Sequence, residues 1–252
     1  VNLGENSEVK IVEHHLSGTG VSLSIPVLDV HVGQNSRLKH CVIQNLGEET
    51  WQVSKQNFQL EKDSYVEMFT AAFGGDYARS EIRCDLKGRG SEAYSAAAYF
   101  GKGEQTLDFR TFQKHEAPDT TSKLLFKGAL DEDSRSIYSG LIKVLPEAIR
   151  TKAQQTNRNI KLSENAWAES VPNLEIETND VMCSHASTVS GIDEEQLFYL
   201  ESKGIETSVA ERLIIAGFFD GVISKVFDPL LVEEATSILT EVLQNRSKSE
   251  GK

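Results

Sequence analysis

Apolar and polar side chains alternate with a period of two residues through almost all of residues 8–190. The pattern is clear in VKIVEHHLS (9–17), QTLDFRTF (105–112) and SIYSGLIKV (136–144). Such alternation is typical of half-buried β-strands, and the glycines that separate the stretches are typical of turns. No amphipathic segment of helical length interrupts the strands, which argues against a fold of alternating β-strands and α-helices. The sequence therefore predicts a mainly β protein over this range.

Two all-β architectures fit this pattern: a sandwich of two sheets and a parallel β-helix. The Asn-Gly and Asp-Gly pairs that mark tight hairpins are absent from residues 8–190, which disfavours the sandwich. A β-helix stacks its coils into ladders of side chains and tolerates irregular turns. We find no clean repeat period, however, and we expect Asn157 and Asn159 to lie in a polar turn. The pattern alone leaves both architectures open.

In the last quarter of the chain, the apolar residues change to helical spacing. The capping signals are Asp193 with Gln196, Ser208 with Glu211, and an aspartate directly before Pro229. These signals predict three helices, at about 193–203, 208–226 and 229–245. The polar tail NRSKSEGK at the end is expected to fray.

The composition limits the classes of partner. The formal net charge of −12, from 26 basic and 38 acidic residues, opposes binding to nucleic acid or to an anionic membrane surface. No apolar run reaches the roughly 18 residues that would span a bilayer, and no secretory signal is visible. We therefore expect a cytoplasmic protein. The chain begins VNLGEN, without a methionine, which allows for a natural N-terminus further upstream.

The three cysteines are Cys41, Cys84 and Cys183. None belongs to a Cys-x-x-Cys pair and their number is odd, which indicates a reducing compartment rather than a disulfide framework. Cys41 and Cys84 lie within alternating strands and are expected in the core. A single copy of the chain cannot supply four thiolates to an iron–sulfur cluster.

Cys183 and His185 stand two positions apart at the end of the strand-rich region. In an extended segment, side chains at i and i+2 project from the same face. A thiol beside an imidazole is a ligand pair suited to zinc, copper or iron. The pair is only half a site, so another chain would have to supply the rest. Spacing alone favours the simpler interpretation of a buried thiol and a hydrogen-bonded histidine.

At this point the sequence resembles the SufB and SufD proteins, which form the scaffold of the SUF iron–sulfur cluster assembly system. The similar segments, in order along the chain, are HEAPDTTSKLLFKGAL (115–130), SGLIKV (139–144), the stretch from AQQTNRNI to MCSHAST (153–188), IDEEQLFYLESKGI (192–205) and AERLIIAGFFDGVISKV (210–226). The order and spacing of several motifs make the resemblance specific.

Of the two paralogues, the chain is more similar to SufD. SufB proteins resemble one another in a cysteine shortly after an Arg-Asn strand, and here no cysteine lies shortly after Arg158-Asn159. Where SufB proteins have a His-Glu-Ala motif before the helices, this chain has Cys183-Ser184-His185, as SufD proteins do. Many SufD proteins also carry a helical N-terminal domain that is not visible in this sequence.

The resemblance implies a right-handed parallel β-helix over residues 1–190 and a small C-terminal α-helical subdomain over 191–252. It implies a SufB-like paralogue packed against the β-helix, and it leaves open a homodimer when the chain is isolated. It also implies a SufC-like ABC ATPase docked on the helices from Ser208 to Val226 and from Pro229 to Leu243. In a eukaryote, the compartment would be a plastid.

The resemblance also implies a role for His185, with Cys183 in a secondary role, as a ligand of iron or of a transient iron–sulfur cluster shared with the partner subunit. Imidazole holds iron less tenaciously than thiolate, which suits a cluster in transit. Of the other histidines, His14 and His15 would project from opposite faces of a strand, which prevents them from acting as a pair. We expect His40 at the surface or in a turn. His115, the first residue of the similar segment HEAPDTTSKLLFKGAL, is expected to form structural hydrogen bonds.

We predict a non-catalytic scaffold. The chain has no GxxxxGK[ST] loop, so we expect no ATP site of its own, and it has neither a nucleophile elbow nor a zinc-protease motif. A SufB-like homodimeric scaffold is one alternative, disfavoured because no cysteine lies near Ser163. A β-helix carbohydrate-active enzyme is a second, disfavoured because the sequence groups no acidic or basic side chains on one strand face.

Overall fold

The computed structural model of the protein describes residues 1–249 and is mainly β, with 52% strand and 18% helix. Its strands form two parallel sheets, between which the chain alternates from β4 onward in a solenoid of about 7 turns. Sheet A consists of β1 (Asn2–Leu3), β3 (Ser22–Ser24), β4 (Val27–Val32), β6 (Thr50–Leu60), β8 (Tyr77–Leu86), β10 (Thr106–His115), β12 (Arg135–Val144) and β14 (Trp167–Ile176). Sheet B consists of β2 (Glu8–Leu16), β5 (Arg37–Asn45), β7 (Tyr65–Ala72), β9 (Glu92–Gly101), β11 (Thr121–Leu130), β13 (Thr151–Lys161) and β15 (Val181–Ser190). The predicted parallel β-helix is confirmed, and the sandwich is excluded.

A left-handed backbone position recurs once per coil, where the chain passes from sheet A to sheet B. The positions are Asn6, Asn35, Asp63, Gly90, Asp119 and Arg150, which are 29, 28, 27, 29 and 31 residues apart. Each backbone N–H donates to a carbonyl of the next coil, as Asn35 does to Lys62 at 2.9 Å. Asn, Asp and Gly adopt this conformation at low cost. A repeat therefore exists, although the sequence pattern did not reveal it.

A polar network crosses the interior of the β-helix near its last coils. The fully buried Tyr99 hydroxyl donates to Asn159 Oδ1 at 2.6 Å and accepts from Asn157 Nδ2 at 3.0 Å. The two amides also bond to each other at 2.9 Å. The prediction of a turn at Asn157 and Asn159 is wrong: both lie within β13, where their amides find partners inside the β-helix. Gly128 makes room, because a side chain there would overlap the ring of Tyr99.

Three helices follow the β-helix at nearly the predicted bounds. They are α1 (Glu194–Ser202), α2 (Thr207–Ile223) and α3 (Pro229–Ser249). Asp193 caps α1 as predicted, because its Oδ1 accepts hydrogen bonds from the second and third helical N–H groups. The predicted capping box at Ser208 and Glu211 is wrong, since α2 begins one residue earlier and Ser208 lies inside its first turn. α3 continues past the predicted end, and residues 250–252 of the predicted tail lie outside the described residues.

α2 and α3 cover the outer face of sheet B. The apolar side chains that meet there include Ile215, Phe219 and Val222 of α2, Leu231, Ala235 and Leu239 of α3, and Phe69, Phe73 and Phe100 of the β-helix. Arg246 of α3 adds ion pairs to Asp131 at 2.6 Å and to Glu211 at 2.5 Å. α2, α3 and the outer face of sheet B thus share one hydrophobic cluster, separate from the one inside the β-helix. The domain boundary between residues 190 and 191 stays a prediction. None of the described helices is both long and apolar enough to cross a membrane.

Candidate metal-binding site

The C-terminal end of the β-helix is an uncovered coil. β14 ends sheet A and β15 ends sheet B, so in the described part of the chain each pairs on one side only. Most side chains of β15 are exposed to solvent. Long edge strands are templates for pairing with another chain, and a solenoid needs its terminal coil covered to be soluble. This end is therefore a candidate contact surface.

Cys183 and His185 both lie on the inner side of β15. Cys183 stacks on Ala153 and His185 on Gln155, and both of these β13 residues are buried in the interior. The predicted shared face follows from this register, with the two Cα atoms roughly 6.6 Å apart along the strand. The His185 side chain is exposed and that of Cys183 is half-buried. The imidazole belongs to the inner layer, yet it reaches solvent because no further coil of sheet B covers it.

The environment of Cys183 disfavours its thiolate. The side chain packs against a small apolar cluster of Ile142, Val144, Ala148 and Ala153. Burial raises the pKa of the Cys183 thiol, and a hydrogen bond with the backbone of Ala153 opposes that shift. Because the thiolate is the form that binds metal, the exposed imidazole two residues on is the more available ligand in the isolated chain.

Two side chains at this end bury polar atoms that have no hydrogen-bond partner among the described residues. Gln155, on which His185 stacks, is fully buried, and neither its Oε1 nor its Nε2 is bonded. Ser170 Oγ of β14 is also buried without a partner. A Cβ at Gly140 would overlap the Gln155 amide, so the interior is closely fitted around it. A buried polar group without a partner costs about 1–3 kcal/mol, and such exceptions are typical of functional sites. No sequence signal marked either residue.

Replacing Gln155 with methionine is expected to stabilise the protein. The substitution keeps the length of the side chain and removes the unbonded amide, so the free energy of unfolding should rise by about 1 kcal/mol or more. Gln154→Met is the matched control, because Gln154 is exposed on the opposite side of the same strand and should change stability little. Urea unfolding of both variants measures the difference. Destabilisation by Gln155→Met would show that the amide is bonded in solution.

The two predicted ligands do not form a complete site. Within residues 1–249, no group of three or more His, Cys, Asp or Glu side chains is arranged to hold a metal ion. Structural metal sites with such ligands commonly use four. The pair on β15 therefore leaves coordination positions for ligands that the described part of the chain does not place nearby.

Cys41, Cys84 and His115 have structural surroundings, as predicted. Cys41 packs under α2 and α3, and Cys84 packs inside the β-helix. His115 is fully buried, with Nδ1 at 2.8 Å from Thr120 Oγ1 and Nε2 at 2.9 Å from Ser122 Oγ. None of the three reaches the open end.

The prediction for His40 is wrong, because this histidine is buried. Its Nε2 lies 2.6 Å from Glu13 Oε1, and Glu13 Oε2 lies 3.3 Å from His15 Nε2. Hydrogen bonds with His15 and His40 lower the pKa of Glu13 to about 2. His14 projects from the other side of β2 and contacts Glu234 of α3 at 3.0 Å, so the predicted separation of His14 and His15 is confirmed. The i, i+2 spacing of Glu13 and His15 was the signal for this group.

The two helices predicted to bind a partner leave some apolar side chains in solvent. Leu213 of α2 is 51% exposed and Leu230 of α3 is 73% exposed. α1, which the sequence did not mark for binding, adds Phe198 at 72% and Tyr199 at 60%. Single exposed apolar side chains are common on protein surfaces, and it is a contiguous patch that indicates an interaction surface.

Comparison with known proteins finds a family model and several relatives that are similar to this chain. A family model described as SUF system FeS cluster assembly, SufBD core domain, matches residues 1–218. An iron–sulfur cluster assembly SufBD family protein of Mycobacterium tuberculosis is 31% identical over 258 residues, which cover 99% of this chain and 64% of the relative. The iron–sulfur cluster assembly proteins SufD of Escherichia coli and Bacillus subtilis are 30% and 29% identical, over 86% and 97% of this chain. The chain spans 52% and 56% of those two relatives, about half of their length.

Proposed function

Because this chain belongs to the SufBD family of iron–sulfur cluster assembly proteins and is most like SufD, we propose that it is a non-catalytic scaffold subunit of the SUF complex. In this role it contributes His185, and secondarily Cys183, to a nascent cluster held at a subunit interface. The cluster is cargo that is built and passed on. The domain division at residue 190 belongs to the same proposal.

The observation that carries the proposal is the position of His185. The imidazole lies on the inner layer of the last coil, exposed at the open end. A second subunit that covered β14 and β15 would therefore also cover this ligand. Iron–sulfur clusters bind protein ligands in sets of four, so a pair of ligands at an uncovered end fits a site completed from outside.

The proposed partner at this end is a SufB-like paralogue. β14 and β15 each offer ten residues of backbone with one unpaired edge in the described chain, and a strand from the partner can extend either sheet. In the absence of the paralogue, a second copy of this chain would meet the same edge. A homodimer of the isolated chain is therefore part of the proposal.

The proposed second partner is a SufC-like ABC ATPase docked on the helices between Ser208 and Leu243. The exposed apolar side chains Leu213 and Leu230 support this surface. ATP would be hydrolysed by the partner. The resulting motion would pass through the core shared by α2, α3 and sheet B and would open the interface near His185 to iron and sulfide.

The proposed compartment is the cytoplasm, or a plastid in a eukaryote. All three cysteines are free thiols in the structure, which is consistent with a reducing environment.

Copurification tests the proposal. The chain is expressed together with a SufB-like paralogue and a SufC-like ATPase from one genome, and the purified complex is analysed for iron and acid-labile sulfide. We expect a complex of three different subunits that carries both elements after reconstitution. A chain that assembles clusters equally well as a homodimer, without the paralogue, would support a SufB-like scaffold instead.

A further inference from the structure

A groove on the outer face of sheet B, beside the end of α2, is lined by four cations. We call it the basic groove and define it by Lys123 and Lys127 of β11, Arg158 of β13 and Lys225 after α2, together with Tyr65 and Tyr94. Its volume is about 530 Å³. Pockets of roughly 300–1,000 Å³ are typical of sites for small molecules.

The cations of the basic groove are not matched by carboxylates. Among the ion pairs of residues 1–249, none joins a carboxylate within 4.0 Å to Lys123, Lys127, Arg158 or Lys225. This lack of acidic partners contrasts with the composition of the chain, which has 38 acidic and 26 basic residues and a net charge of −12. Glu67 is the acidic residue that lines the groove. It lies 3.9 Å from Lys39 outside the groove and accepts a hydrogen bond from the hydroxyl of Tyr65 at 3.4 Å.

The position of Lys127 concentrates this charge. Its side chain is half-buried, and Nζ donates to the carbonyl of Phe218 at 2.6 Å. Burial lowers the pKa of Lys127, the positive charges of Arg158 and Lys225 lower it further, and Asp220 acts in the opposite sense. The three cations therefore repel one another, and an anion placed between them would relieve the repulsion.

One wall of the groove is aromatic. The rings of Tyr65 and Tyr94 lie 5.4 Å apart, and Lys123 Nζ lies 5.9 Å from the centre of the Tyr94 ring. Ring faces next to cations provide apolar contact beside the charge. Apolar atoms of Leu125 and Val226 line the same space.

We propose that the basic groove binds a phosphate-bearing small molecule, whose phosphate is held by Arg158, Lys127 and Lys225. Several cations around one point favour an anion with more than one negative charge, and the planar guanidinium of Arg158 can bind two phosphate oxygens at once. Tyr65, Tyr94 and Lys123 would contact the rest of the molecule. This site lies on the outer face of sheet B, whereas Cys183 and His185 lie on the inner side of β15, so the proposal does not depend on the role of His185.

Titration of the purified chain with inorganic pyrophosphate, followed by calorimetry at low ionic strength, tests the proposal. We expect binding to the wild-type chain, weakened at least about tenfold in Arg158→Gln/Lys225→Gln because two charge-assisted contacts are lost. Both of these side chains are exposed, so the fold should persist, and thermal melting checks that it does. Lys55→Gln/Lys87→Gln removes the same charge from sheet A and the turn after it, and should bind as the wild type does.

Three results would overturn the proposal. The first is no detectable binding of pyrophosphate to the wild-type chain. The second is an equal loss of affinity in the groove variant and in the sheet A control, which would indicate binding to net charge only. The third is tighter binding of a tetraglutamate peptide than of pyrophosphate at the same salt concentration, which would identify the groove as a site for acidic protein segments.

Discussion

Replacing His185 with alanine is expected to abolish cluster assembly in the complex while leaving the complex itself intact. At the open end of the β-helix, the exposed imidazole of His185 is more available to a metal than the half-buried thiol of Cys183, and an incomplete ligand set does not retain iron. Because the side chain is exposed, the free energy of unfolding should change by less than about 0.5 kcal/mol. The measurement is iron and acid-labile sulfide per complex after reconstitution, alongside size-exclusion chromatography of the three subunits.

Two further variants make this test specific. His31→Ala removes a partly exposed histidine on β4, near the opposite end of sheet A, and should leave cluster content unchanged. Cys183→Ser should reduce cluster content only in part, because the thiol is half-buried and its pKa is raised. Normal assembly by His185→Ala would count directly against the proposed ligand. Loss of the complex itself would instead assign His185 to subunit contact.

The elements that the sequence predicted well are those set by local chemistry. Asp193 caps α1 through its own side chain, and Gly204, with a φ of +82°, follows the end of that helix in the conformation that glycine adopts most easily. The alternation that marked the strands is equally local, since it depends only on which side of each strand is buried. The shared face of Cys183 and His185 follows from the same period of two residues.

The elements that the sequence did not predict depend on contacts between distant segments. The alternation could not distinguish a sandwich from a β-helix, because both bury one side of each strand. The coil repeat was hidden because its left-handed position is filled by Asn, Asp, Gly and even Arg150, at intervals that vary from 27 to 31 residues. Asn157 looked like a turn residue because its partner, Tyr99, lies 58 positions away.

The candidate site likewise has some features that the sequence predicts and others that depend on contacts between distant segments. The ligand pair could be predicted from spacing, but its exposure could not, because exposure requires that no later coil covers β15. Gln155 has no signature in the sequence, since its lack of partners is a property of the packed interior. The basic groove joins residues from β11, β13 and the turn after α2, which only the register of sheet B and the packing of α2 bring together.

Acidification from pH 6.5 to 4 is expected to destabilise the protein by about 3 kcal/mol through His115 alone. Burial lowers the pKa of His115 from 6.5 to about 4, and the side chain is fully buried against Thr120 and Ser122. Below pH 6.5 the His115 imidazole is protonated in the unfolded chain, whereas in the folded chain it stays neutral until about pH 4. Stability from this group is therefore complete above 6.5 and is lost as the pH falls through that window. At 1.36 kcal/mol per pKa unit, the total is about 3 kcal/mol.

The comparison of wild type with His115→Gln isolates this contribution. Urea unfolding of both proteins is measured between pH 7.5 and 4, and the difference in the free energy of unfolding is followed rather than either value alone. Other carboxylates and histidines titrate in both proteins and cancel in the difference. The advantage of the wild type should shrink by about 3 kcal/mol on acidification. A constant difference for His115→Gln would mean that the imidazole accepts its proton within the folded β-helix, so water or a rearranged turn must reach the space between β10 and β11 that the structure closes.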